Sequence, residues 1–556
     1  MAAAVRIIPL GGLGEVGKNM TVFEQDGDLV LIDVGLTFPR AEMHGIDLVL
    51  PDFAYVADRA ESLRAVILTH GHEDHVGALP YLLKELGTFP PVMGTRLTLG
   101  LIKSKLDEHG LGNDVQLVEV SPDGGRVDVG PFQAEFVRMT HSIPDAVAVA
   151  LHTAHGTILH TGDFKIDMTP IDGRPADLAR LRQLGDRGVA LLLSDSTNAE
   201  NPGRTASEAT VGPSLRKIIA EAPGRVIVTS FASQIHRLQQ VMDAAEYTGR
   251  KVCVIGRSMV RNLNISRNLG YAHVQDETLI KPRVLESFRP DEVVIVCTGS
   301  QGEPRSALTR MALGEHQWVQ VHPTDTVIMS SKAVPGNEVN VYDTINRLSR
   351  MGAAVLTENN AYVHVSGHGS SEELRELLEA VRPQSFMPVH GEYRMLRAHA
   401  AIAEQTGVPA HAIRVADNGM VLELDGDGLS VQGQIEAGIT LVDGFSVGDL
   451  RDEVLRDRRR LATDGVLIVV ATIAADTARP VTDPEVIARG FEMPDDDGQV
   501  LLDAARDAAD AVLDECQARG ITEVVLVEER MHDALAELSS RLTGKRPMVL
   551  PVIVEV

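Results

Sequence analysis

Short apolar runs, each followed directly by polar residues, recur through the first third of the chain. The run 65–68, Ala-Val-Ile-Leu, predicts a buried strand, because consecutive apolar residues suit the interior of a sheet. Helical apolar spacing follows from Val76 to Leu86. Further strand-like stretches are 132–139, 157–162 and 191–195. The pattern predicts a β-rich α/β region whose polar residues lie on loops at strand ends.

The middle of the chain, from about residue 204, changes to a regular alternation of strands and helices. Arg225–Phe231 predicts a strand, Gln234–Thr248 a helix and Lys251–Ile255 a second strand, which together make a βαβ unit. The apolar runs Val293–Thr298 and Asp325–Ser330 add further strands. We therefore expect a doubly wound sheet in this region.

The last part of the chain predicts a small α/β domain. Short strands extend to about Val447, and the charge-rich segment Arg451–Arg460 predicts a linker or a connecting helix. The tail then alternates: a strand at Val466–Ala471, a helix at Leu501–Arg519, a strand at Val524–Val527, a helix at Met531–Leu542 and a strand at Pro547–Val556. The tail contains no cluster of metal-ligand residues, so the simplest interpretation is a domain through which chains associate.

One motif near the start resembles a dinucleotide-binding fingerprint. The first predicted strand ends in the segment 11–17, Gly-Gly-Leu-Gly-Glu-Val-Gly, which contains GxGxxG, and Asp33 follows at a distance suitable for a ribose ligand. A dinucleotide site requires a helix directly after the glycines. Here the segments 20–24 and 29–33 predict a hairpin of strands, so we reject a nucleotide cofactor.

Length and composition indicate an ordinary globular protein. The 556 residues allow two or three domains, and the hydrophobic share of 44% is typical of globular chains. No apolar run reaches the roughly 18 residues of a membrane span, and the first residues lack a signal-peptide core, so we expect a soluble cytoplasmic protein. The three cysteines are widely spaced, which argues against disulfides and against a cysteine metal site. Any metal would be held by His and Asp.

The net charge of −26 is unfavourable for binding a polyanion, but it is unevenly distributed. Residues 204–310 contain 15 basic and 10 acidic residues, whereas residues 451–556 contain 13 basic and 22 acidic ones. A basic middle region can follow a phosphate backbone, although solvated helix faces give the same signal. The charge alone does not choose between these interpretations.

The segment 69–77, Thr-His-Gly-His-Glu-Asp-His-Val-Gly, carries the strongest chemical signal. His70, His72, Asp74 and His75 crowd into one short loop after a predicted strand. Neighbouring side chains there can face opposite ways, so they supply N and O ligands to two adjacent divalent metals. An exposed polar loop explains one histidine better than it explains four potential ligands. The sequence therefore predicts a dinuclear hydrolytic centre.

A second polar loop lies between a strand and a helix that runs to Val381. Its residues 362–373 include His364, Ser366 and His368 in a glycine-containing turn, which can wrap a phosphate with N–H, hydroxyl and imidazolium donors. The alternative is a capping turn formed by Ser370 or Ser371. Ser233, at the start of the predicted Gln234 helix, can bind an anion or serve as an ordinary N-cap, and the N-cap is the default.

The HxHxDH pattern resembles the metallo-β-lactamase superfamily. The ligand set of that superfamily is completed here by His141, after the stretch 132–139, and by Asp163, after the stretch 157–162. The apolar run 386–389 ends at His390. A histidine on an apolar strand is more often a core residue, but His390 supplies the one imidazole that the set lacks.

An ordered series of motifs narrows the resemblance to the β-CASP nucleases and, within them, to the bacterial ribonuclease J family. The matching segments are 11–19 (GGLGEVGKN), 70–75 (HGHEDH), 140–145 (THSIPD), 160–165 (HTGDFK), 194–198 (SDSTN), 231–237 (FASQIHR), 297–304 (CTGSQGEP), 366–369 (SGHG) and 390–394 (HGEYR). They span almost the whole chain.

The resemblance implies an αββα metallo-β-lactamase sandwich with an inserted doubly wound β-CASP domain and a small α/β C-terminal domain. We expect the first part of the metallo-β-lactamase domain at 1–204, the β-CASP domain at 205–354 and the second metallo-β-lactamase part at 355–447. A linker at 448–462 and a C-terminal association domain at 463–556 would follow.

The family also implies the roles of the site residues. One zinc would be held by His70, His72 and His141 and the other by Asp74, His75 and His390, with Asp163 bridging; manganese or magnesium are possible in place of zinc. Asp195 would orient a ligand histidine, and His368 would donate a proton to the leaving 3′ oxygen. The residues expected to surround a terminal 5′-phosphate are Ser233, His364, Val365, Ser366, Gly367 and His368.

Ribonuclease J enzymes combine 5′-to-3′ exonuclease activity, favouring single-stranded RNA with a 5′-monophosphate, with endonuclease activity. They act in mRNA decay and rRNA maturation as dimers or tetramers, and other RNA-decay proteins are possible partners. Two rival functions are a small-molecule hydrolase acting on a thioester or lactam and an RNA-assembly protein with a vestigial metal site. The first does not explain the inserted region, and the second does not explain a complete ligand set.

Overall fold

The computed structural model describes residues 3–40, 42–444, 446–448, 452–477, 479–490 and 499–556. The strands are β1 Val5–Gly11, β2 Met20–Gln25, β3 Asp28–Ile32, β4 Leu48–Pro51, β5 Leu63–Ile67, β6 Val92–Gly94, β7 Leu117–Glu119, β8 Val127–Val129, β9 Phe132–Arg138, β10 Val147–Thr153, β11 Gly156–His160, β12 Val189–Asp195, β13 Val226–Thr229, β14 Lys251–Ile255, β15 Leu279–Ile280, β16 Val293–Cys297, β17 Thr326–Met329, β18 Ala354–Leu356, β19 Ser385–Val389, β20 Met420–Asp425, β21 Gly428–Gln434, β22 Ile439–Asp443, β23 Ser446–Gly448, β24 Val466–Ile473, β25 Glu485–Arg489 and β26 Met548–Glu555.

The α-helices are α1 Ala54–Ala57, α2 Glu73–Val76, α3 Leu79–Leu86, α4 Arg96–Glu108, α5 Leu178–Arg187, α6 Val211–Glu221, α7 Ile235–Tyr247, α8 Arg257–Leu269, α9 Ala307–Ala312, α10 Glu338–Arg350, α11 Ser371–Val381, α12 Tyr393–Gln405, α13 Asp452–Thr463, α14 Gln499–Arg519 and α15 Val524–Thr543. Short 3-10 helices lie between them. The chain forms two compact units, residues 1–38 with 48–440 and residues 39–47 with 441–556.

The first unit contains a sandwich of two sheets. An eight-stranded sheet has the order β21-β20-β1-β2-β3-β5-β6-β7, and a six-stranded sheet has the order β19-β12-β11-β10-β9-β8. Their apolar faces form one core, in which Phe23 and Ile67 of the first sheet meet Val149 and Leu193 of the second. Helices α5, α11 and α12 cover the outer face of the six-stranded sheet through residues such as Leu181. The sandwich predicted from the sequence is confirmed.

The third sheet of the first unit is parallel throughout, with the order β15-β14-β16-β13-β17-β18. Apolar clusters lie on both of its faces, one with α6, α7 and α8 and the other with α9 and α10. This is the predicted doubly wound sheet. Because β18 ends at Leu356, the boundary expected between residues 354 and 355 falls inside the last strand of this sheet.

The GxGxxG segment precedes a hairpin, as expected. β2 and β3 pair antiparallel directly after it, and residues 11–19 contain no helix. Without a helix N-terminus facing the glycines, the segment lacks the anion site that a dinucleotide requires.

The second unit contains a three-stranded sheet, β25-β24-β26, against which α14 and α15 pack. The strand predicted at Val524–Val527 is wrong, because these residues begin the helix α15. Val525 is 72% exposed, whereas Val527, Met531 and Leu535 are fully buried at a spacing of four residues. The helical period of the longer segment therefore overrides the strand propensity of a short β-branched run.

Parts of the predicted linker and of its neighbours, at 445, 449–451, 478 and 491–498, lie outside the described residues. The described part of the charge-rich segment forms α13, one of the two predicted alternatives. No helix among the described residues is long and apolar enough to cross a membrane.

Candidate metal centre

Five strand ends bring predicted site residues to one edge of the sandwich. His70 and His72 follow β5, His141 follows β9, Asp163 follows β11, Asp195 ends β12 and His390 follows β19. β11, β12 and β19 are parallel, so their C-terminal ends lie at the same edge of the six-stranded sheet. This topology explains why residues more than 300 positions apart in sequence meet in space.

The Oδ2 atom of Asp163 lies at the centre of the cluster. It is 3.1 Å from Nε2 of His75 and 3.3 Å from Nε2 of His390. It is also 3.7 Å from Nε2 of His70 and 3.8 Å from Nε2 of His141. One carboxylate oxygen thus faces four imidazole nitrogens, which is the position that a bridging ligand requires.

The ligand atoms divide into two overlapping groups around Asp163. One group joins His70, His72, His141 and Asp163, and the other joins Asp74, His75, Asp163 and His390; within each group the ligand atoms lie within 4.8 Å of one another. The structure thus brings together the residues of the two sets that the family resemblance implies. A third overlapping group, of Asp163, Asp195, His368 and His390, also satisfies the same distance.

Hydrogen bonds at the outer ring nitrogens fix which nitrogen of His141 and His390 faces inward. Nδ1 of His141 lies 2.7 Å from the carbonyl oxygen of Gly367, and Nδ1 of His390 lies 2.9 Å from Oδ1 of Asn19. Because these oxygens only accept, each Nδ1 carries the proton. The Nε2 atoms therefore face inward, which is the orientation that a metal ligand needs.

Asp33 fixes His75 and His70 in the same way. Its Oδ2 accepts from Nδ1 of His75 at 2.7 Å and from Oγ1 of Thr69 at 2.8 Å. Since the hydroxyl proton of Thr69 goes to Asp33, the Thr69 oxygen accepts from Nδ1 of His70, 3.0 Å away. One buried carboxylate thereby fixes Nδ1 of a histidine in each ligand group, so that Nε2 faces inward.

The unpaired atoms of the cluster fit divalent cations. Nε2 of His70 and Oδ1 of Asp163 are buried without a hydrogen-bond partner among the described residues. Nδ1 of His72 faces the lone pair on Nε2 of His141 at 3.1 Å, an arrangement that a shared cation stabilises. Burial holds the pKa of His70 and of His141 well below the usual range, so both rings are neutral and able to bind metal.

His75 and Asp163 show the opposite electrostatics. Burial lowers the pKa of His75, but Asp163, Asp74 and Asp33 outweigh it and raise that pKa well above the usual range. His390 and His75 in turn hold the pKa of Asp163 well below its usual range against the effect of burial. The carboxylates around His75 therefore favour positive charge in this part of the cluster. Divalent cations carry two positive charges each and neutralise the carboxylates better than single protons do.

Asp195 orients His368 through a hydrogen bond of 2.7 Å from Nδ1 of the ring to Oδ2. The sequence prediction assigned Asp195 to one of the ligand histidines, so the partner differs from the expected one. Burial lowers the pKa of His368, but the carboxylate of Asp195 raises it to about 9. His368 is therefore held as a protonated ring beside the cluster, only 20% of its side chain being exposed.

The predicted phosphate loop lies against the same site. Gly367 has no room for a side chain, because a Cβ atom there would lie 2.7 Å from Cε1 of His141. Oγ of Ser366 accepts from Nδ2 of Asn198 at 2.8 Å and from the N–H of His368 at 3.1 Å. Val365 packs in the same apolar cluster as Ala232, the neighbour of Ser233. No hydrogen bond joins the Ser233 side chain to this loop in the described part of the chain.

His364 differs from the imidazolium donor expected from the sequence. Burial, with smaller effects of Arg237 and Lys165, lowers its pKa to about 3, so the ring is neutral. Its Nδ1 is buried without a hydrogen-bond partner among the described residues. The ring can therefore accept a hydrogen bond at Nδ1, or take up a proton when an anion binds beside it.

Sequence analysis missed two residues that fix the ligands, Asp33 and Asn19. Asp33 was considered only as a ribose ligand, and Asn19 only as part of a motif. The signal that finds Asp33 is a carboxylate at the end of a buried strand adjacent to the strand that precedes the metal loop. β3 and β5 are paired, so Asp33 and Thr69 leave the sheet side by side.

The chain matches four described protein families over most of its length. Residues 13–195 match the metallo-beta-lactamase superfamily, residues 223–348 the Ribonuclease J beta-CASP domain, residues 352–413 the Zn-dependent metallo-hydrolase RNA specificity domain and residues 453–556 the Ribonuclease J C-terminal domain. The order agrees with the series of motifs in the sequence.

Similar proteins cover the whole chain. It is 43% identical to Ribonuclease J of Mycobacterium tuberculosis over 100% of this chain and 98% of that protein, and 43% identical to Ribonuclease J of Thermus thermophilus over 99% and 95%. It is 40% identical to Ribonuclease J2 of Bacillus subtilis over 99% of both chains.

A solved structure supports the fold. A protein of unknown function from Enterococcus faecalis V583 covers 76% of this chain and 100% of its own, with a TM-score of 0.54 at 14% sequence identity. At that identity the likeness concerns architecture alone. The full-length similarity to named relatives, together with clusters of His and Asp able to bind metal, places this chain in the ribonuclease J family as an RNA-binding, metal-dependent ribonuclease.

Proposed function

We propose that this chain is a zinc-dependent ribonuclease that removes nucleotides from the 5′ end of single-stranded RNA, favours a 5′-monophosphate and also cleaves internally. Manganese or magnesium can replace zinc in this proposal. Its substrates would be messenger RNA in decay and ribosomal RNA in maturation, which in bacteria are cytoplasmic. The predicted phosphate loop, residues 363–368, is called the 363–368 loop below. The observation that carries the proposal is its position, because the carbonyl oxygen of Gly367 accepts a hydrogen bond from His141, one of the candidate ligands.

The seven ligand candidates would hold two cations: His70, His72, Asp74, His75, His141, Asp163 and His390. Such cations supply the Lewis acidity that phosphodiester hydrolysis needs near neutral pH. The chain's own residues set the ligand orientation, since Asp33, Asn19 and Gly367 each accept the outer proton of a ligand imidazole. Asp74 would act as both ligand and catalytic carboxylate, because its Oδ2 lies 3.7 Å from Nε2 of His75.

His368 is our candidate for the general acid. Its Nδ1 is held by Asp195, which leaves Nε2–H to donate a proton to the departing 3′ oxygen. The raised pKa keeps that proton on the ring at neutral pH. In this role Asp195 acts through His368 and does not touch the RNA.

The loop would bind the terminal phosphate with Ser366, Gly367 and His364 from one side and Ser233 from the other. Its distance from the ligand cluster is short, because Gly367 itself contacts His141. We place that phosphate one nucleotide from the cations, so that each turnover would release a mononucleotide. A 5′-triphosphate would fit poorly.

The second unit would join two or four chains. Residues Leu550, Val552 and Val554 alternate along β26 and are each more than 40% exposed. Such an apolar sheet face is a common site of homodimer formation. We therefore propose a homodimer or homotetramer formed through the C-terminal domain.

One labelled-RNA assay tests the function. The purified chain is incubated, with and without a chelator, with uniformly labelled single-stranded RNA carrying a 5′-monophosphate, a 5′-hydroxyl or a 5′-triphosphate, and with a circular RNA of the same sequence. We expect labelled mononucleotide chiefly from the monophosphate, linearisation of the circle, and no product with chelator. Zinc, manganese or magnesium added back after chelation identifies the metal that restores activity.

Other outcomes distinguish the rivals. Binding of RNA without any product would favour an RNA-assembly protein. An absence of both binding and product, with hydrolysis of a thioester or lactam, would favour a small-molecule hydrolase. Internal cleavage without mononucleotide release would remove the exonuclease part of the proposal.

A further inference from the structure

Four buried charged residues outside the ligand cluster form a network beside the 363–368 loop. Arg237 is fully buried, Lys165 is 1% exposed, Glu208 2% and Asp167 4%. The positive charges of the two basic side chains balance the negative charges of the two carboxylates, so the network adds no net charge with which to attract an RNA phosphate. Placing four charges inside a protein is costly unless each is paired and hydrogen-bonded, which makes their position the feature that requires explanation.

Arg237 uses its guanidinium to connect three separate segments. Its Nε and Nη2 donate to Oε1 of Glu208 at 2.9 and 2.6 Å. Its Nη1 donates to the carbonyl oxygen of Val363 at 2.7 Å and also to the side chain of Ser330, at the end of β17. Oγ of Ser330 donates to the same Val363 carbonyl at 2.7 Å. The end of the doubly wound sheet is therefore tied to the start of the loop.

Three further carbonyls of the loop are also bound from inside the protein. Nζ of Lys165 donates to the carbonyl oxygen of Ser366 at 3.2 Å, and Nδ1 of His141 donates to that of Gly367. Nδ2 of Asn198 donates to the carbonyl oxygen of His368 at 2.9 Å. With these carbonyls turned inward, the N–H groups of residues 364–367 make no hydrogen bond within the described residues. Unpaired backbone N–H groups are donors that an anion can use.

We propose that Arg237 is a positioning residue for the 5′-phosphate: held by Glu208, it fixes the Val363 carbonyl and so turns the N–H groups of the loop toward the RNA end. This rests on the proposed function, because it assigns the loop to the terminal phosphate. Arg237 does not touch the RNA. Lysine cannot replace it, since a single ammonium lacks the planar fork that reaches Glu208, Ser330 and Val363 together.

The test is the variant Arg237→Lys, with Arg250→Lys as its matched control. Arg250 is also buried in the β-CASP region and donates to two carbonyls, those of Gly224 and Ala222, which lie outside the loop. Initial rates are measured on 5′-monophosphate RNA, on 5′-hydroxyl RNA and on circular RNA. Thermal melting of each metal-loaded protein is recorded alongside.

For Arg237→Lys we expect KM for 5′-monophosphate RNA to rise about tenfold, the effect of losing a charge-assisted hydrogen bond, with kcat changed less than twofold. KM for 5′-hydroxyl RNA and cleavage of the circle should stay unchanged, so the preference for the monophosphate falls. Arg250→Lys should retain the preference. A general structural role would instead lower all three activities together, or affect both variants alike, and either result overturns the proposal.

Should Arg237→Lys melt below the assay temperature, Ser330→Ala decides the question. This change removes one of the two donors to the Val363 carbonyl and leaves the charges in place. We expect a smaller loss of monophosphate preference, about threefold, and none for the control Ser266→Ala, whose hydroxyl is buried without a partner. An unchanged preference in Ser330→Ala would overturn the proposal.

The wild-type measurement distinguishes a failure of the proposed function from a failure of the role proposed for Arg237. If the wild type shows no preference for a 5′-monophosphate, the proposed function fails and this inference fails with it. If the wild type shows the preference and both decisive variants keep it, only the role of Arg237 is wrong.

Discussion

The metal cluster and the 363–368 loop are both held by buried hydrogen bonds, but through different parts of the chain. In the cluster the bonds end on imidazole nitrogens, so they select the tautomer of side chains whose chemistry is visible in the sequence. In the loop they end on backbone carbonyls, which Arg237, Ser330 and Lys165 supply with donors. The metal cluster is held by the side chains of its own residues, whereas the loop is shaped by residues from other segments whose contacts the sequence does not show.

The largest expected effect comes from a variant that disrupts the metal cluster. His72→Ala deletes a ligand whose Nδ1 faces His141 at 3.1 Å, and we expect at least about a 10³-fold loss of kcat on every RNA. Both mononucleotide release and circle cleavage should fall together, because the cluster serves both. His411→Ala, at an exposed histidine of the same unit, is the control. A fully active His72→Ala protein would contradict a metal mechanism.

The next effect weakens the cluster without touching a ligand. Asp33→Asn loses the carboxylate that fixes His75 and, through Thr69, His70, so metal affinity should fall about 10- to 100-fold. Asparagine tolerates the left-handed backbone found at Asp33, where φ is +61°. Metal titration with activity as the readout measures the loss, and excess metal should restore the rate.

Asp26→Asn is the matched control for that change. Asp26 has a similar φ of +54°, but it lies in the exposed turn between β2 and β3. Its metal titration should match the wild type. Equal shifts in both variants would mean that Asp33 does not act through the histidines.

A smaller effect separates the loop from the cluster. Ser366→Ala removes a candidate phosphate hydroxyl, and we expect the preference for monophosphate over hydroxyl ends to fall about threefold to tenfold. Circle cleavage should be affected less. Ser371→Ala, on the first turn of α11, should behave as the wild type. Equal losses on linear and circular RNA would contradict the assignment of Ser366 to the 5′ end.

The smallest effect concerns a histidine as buried as the ligands but outside both sites. Nδ1 of His399 contacts Oγ of Ser196 at 3.0 Å, and burial lowers the pKa of His399 to about 3. The folded state therefore holds the ring neutral, while the unfolded chain takes up a proton below about pH 6.5. Stability present at pH 7 is lost as pH falls toward 3, by about 2 kcal/mol at pH 5 from this group.

Urea denaturation of the metal-loaded protein at pH 7 and pH 5 measures that loss. The His399→Gln protein should lose less stability between the two pH values than the wild type, because an amide does not titrate. Identical losses in both proteins would show that His399 does not carry the effect.

The order of apolar and polar residues predicted the secondary-structure elements that depend on short stretches of sequence. The two-sheet sandwich, the doubly wound sheet and the hairpin after GxGxxG are confirmed, because apolar periodicity and turn residues determine such elements. The strand at Val524–Val527 is wrong, since four β-branched and apolar residues are too few to outweigh a helical period extending to Leu538. The division of the candidate ligands into two groups came from the family resemblance, because local pattern shows only that polar residues follow these strands.

The remaining features depend on contacts that no motif announces. Arg237 donates both to Glu208, 29 positions away, and to a carbonyl oxygen 126 positions away. Arg237 closes the motif 231–237, but the sequence does not show its partners. Only the fold reveals that Arg237 and Glu208 are buried, and only burial makes their hydrogen bonds informative. The partner of Asp195 was missed for the same reason.

The central claim is that seven side chains from His70 to His390 hold two cations around Asp163. The most direct measurement is an anomalous diffraction map of the metal-loaded protein, recorded at the absorption edge of the metal. We predict two peaks, one among His70, His72, His141 and Asp163 and one among Asp74, His75, Asp163 and His390. A map with full side-chain density and no peak beside Asp163 would contradict the account.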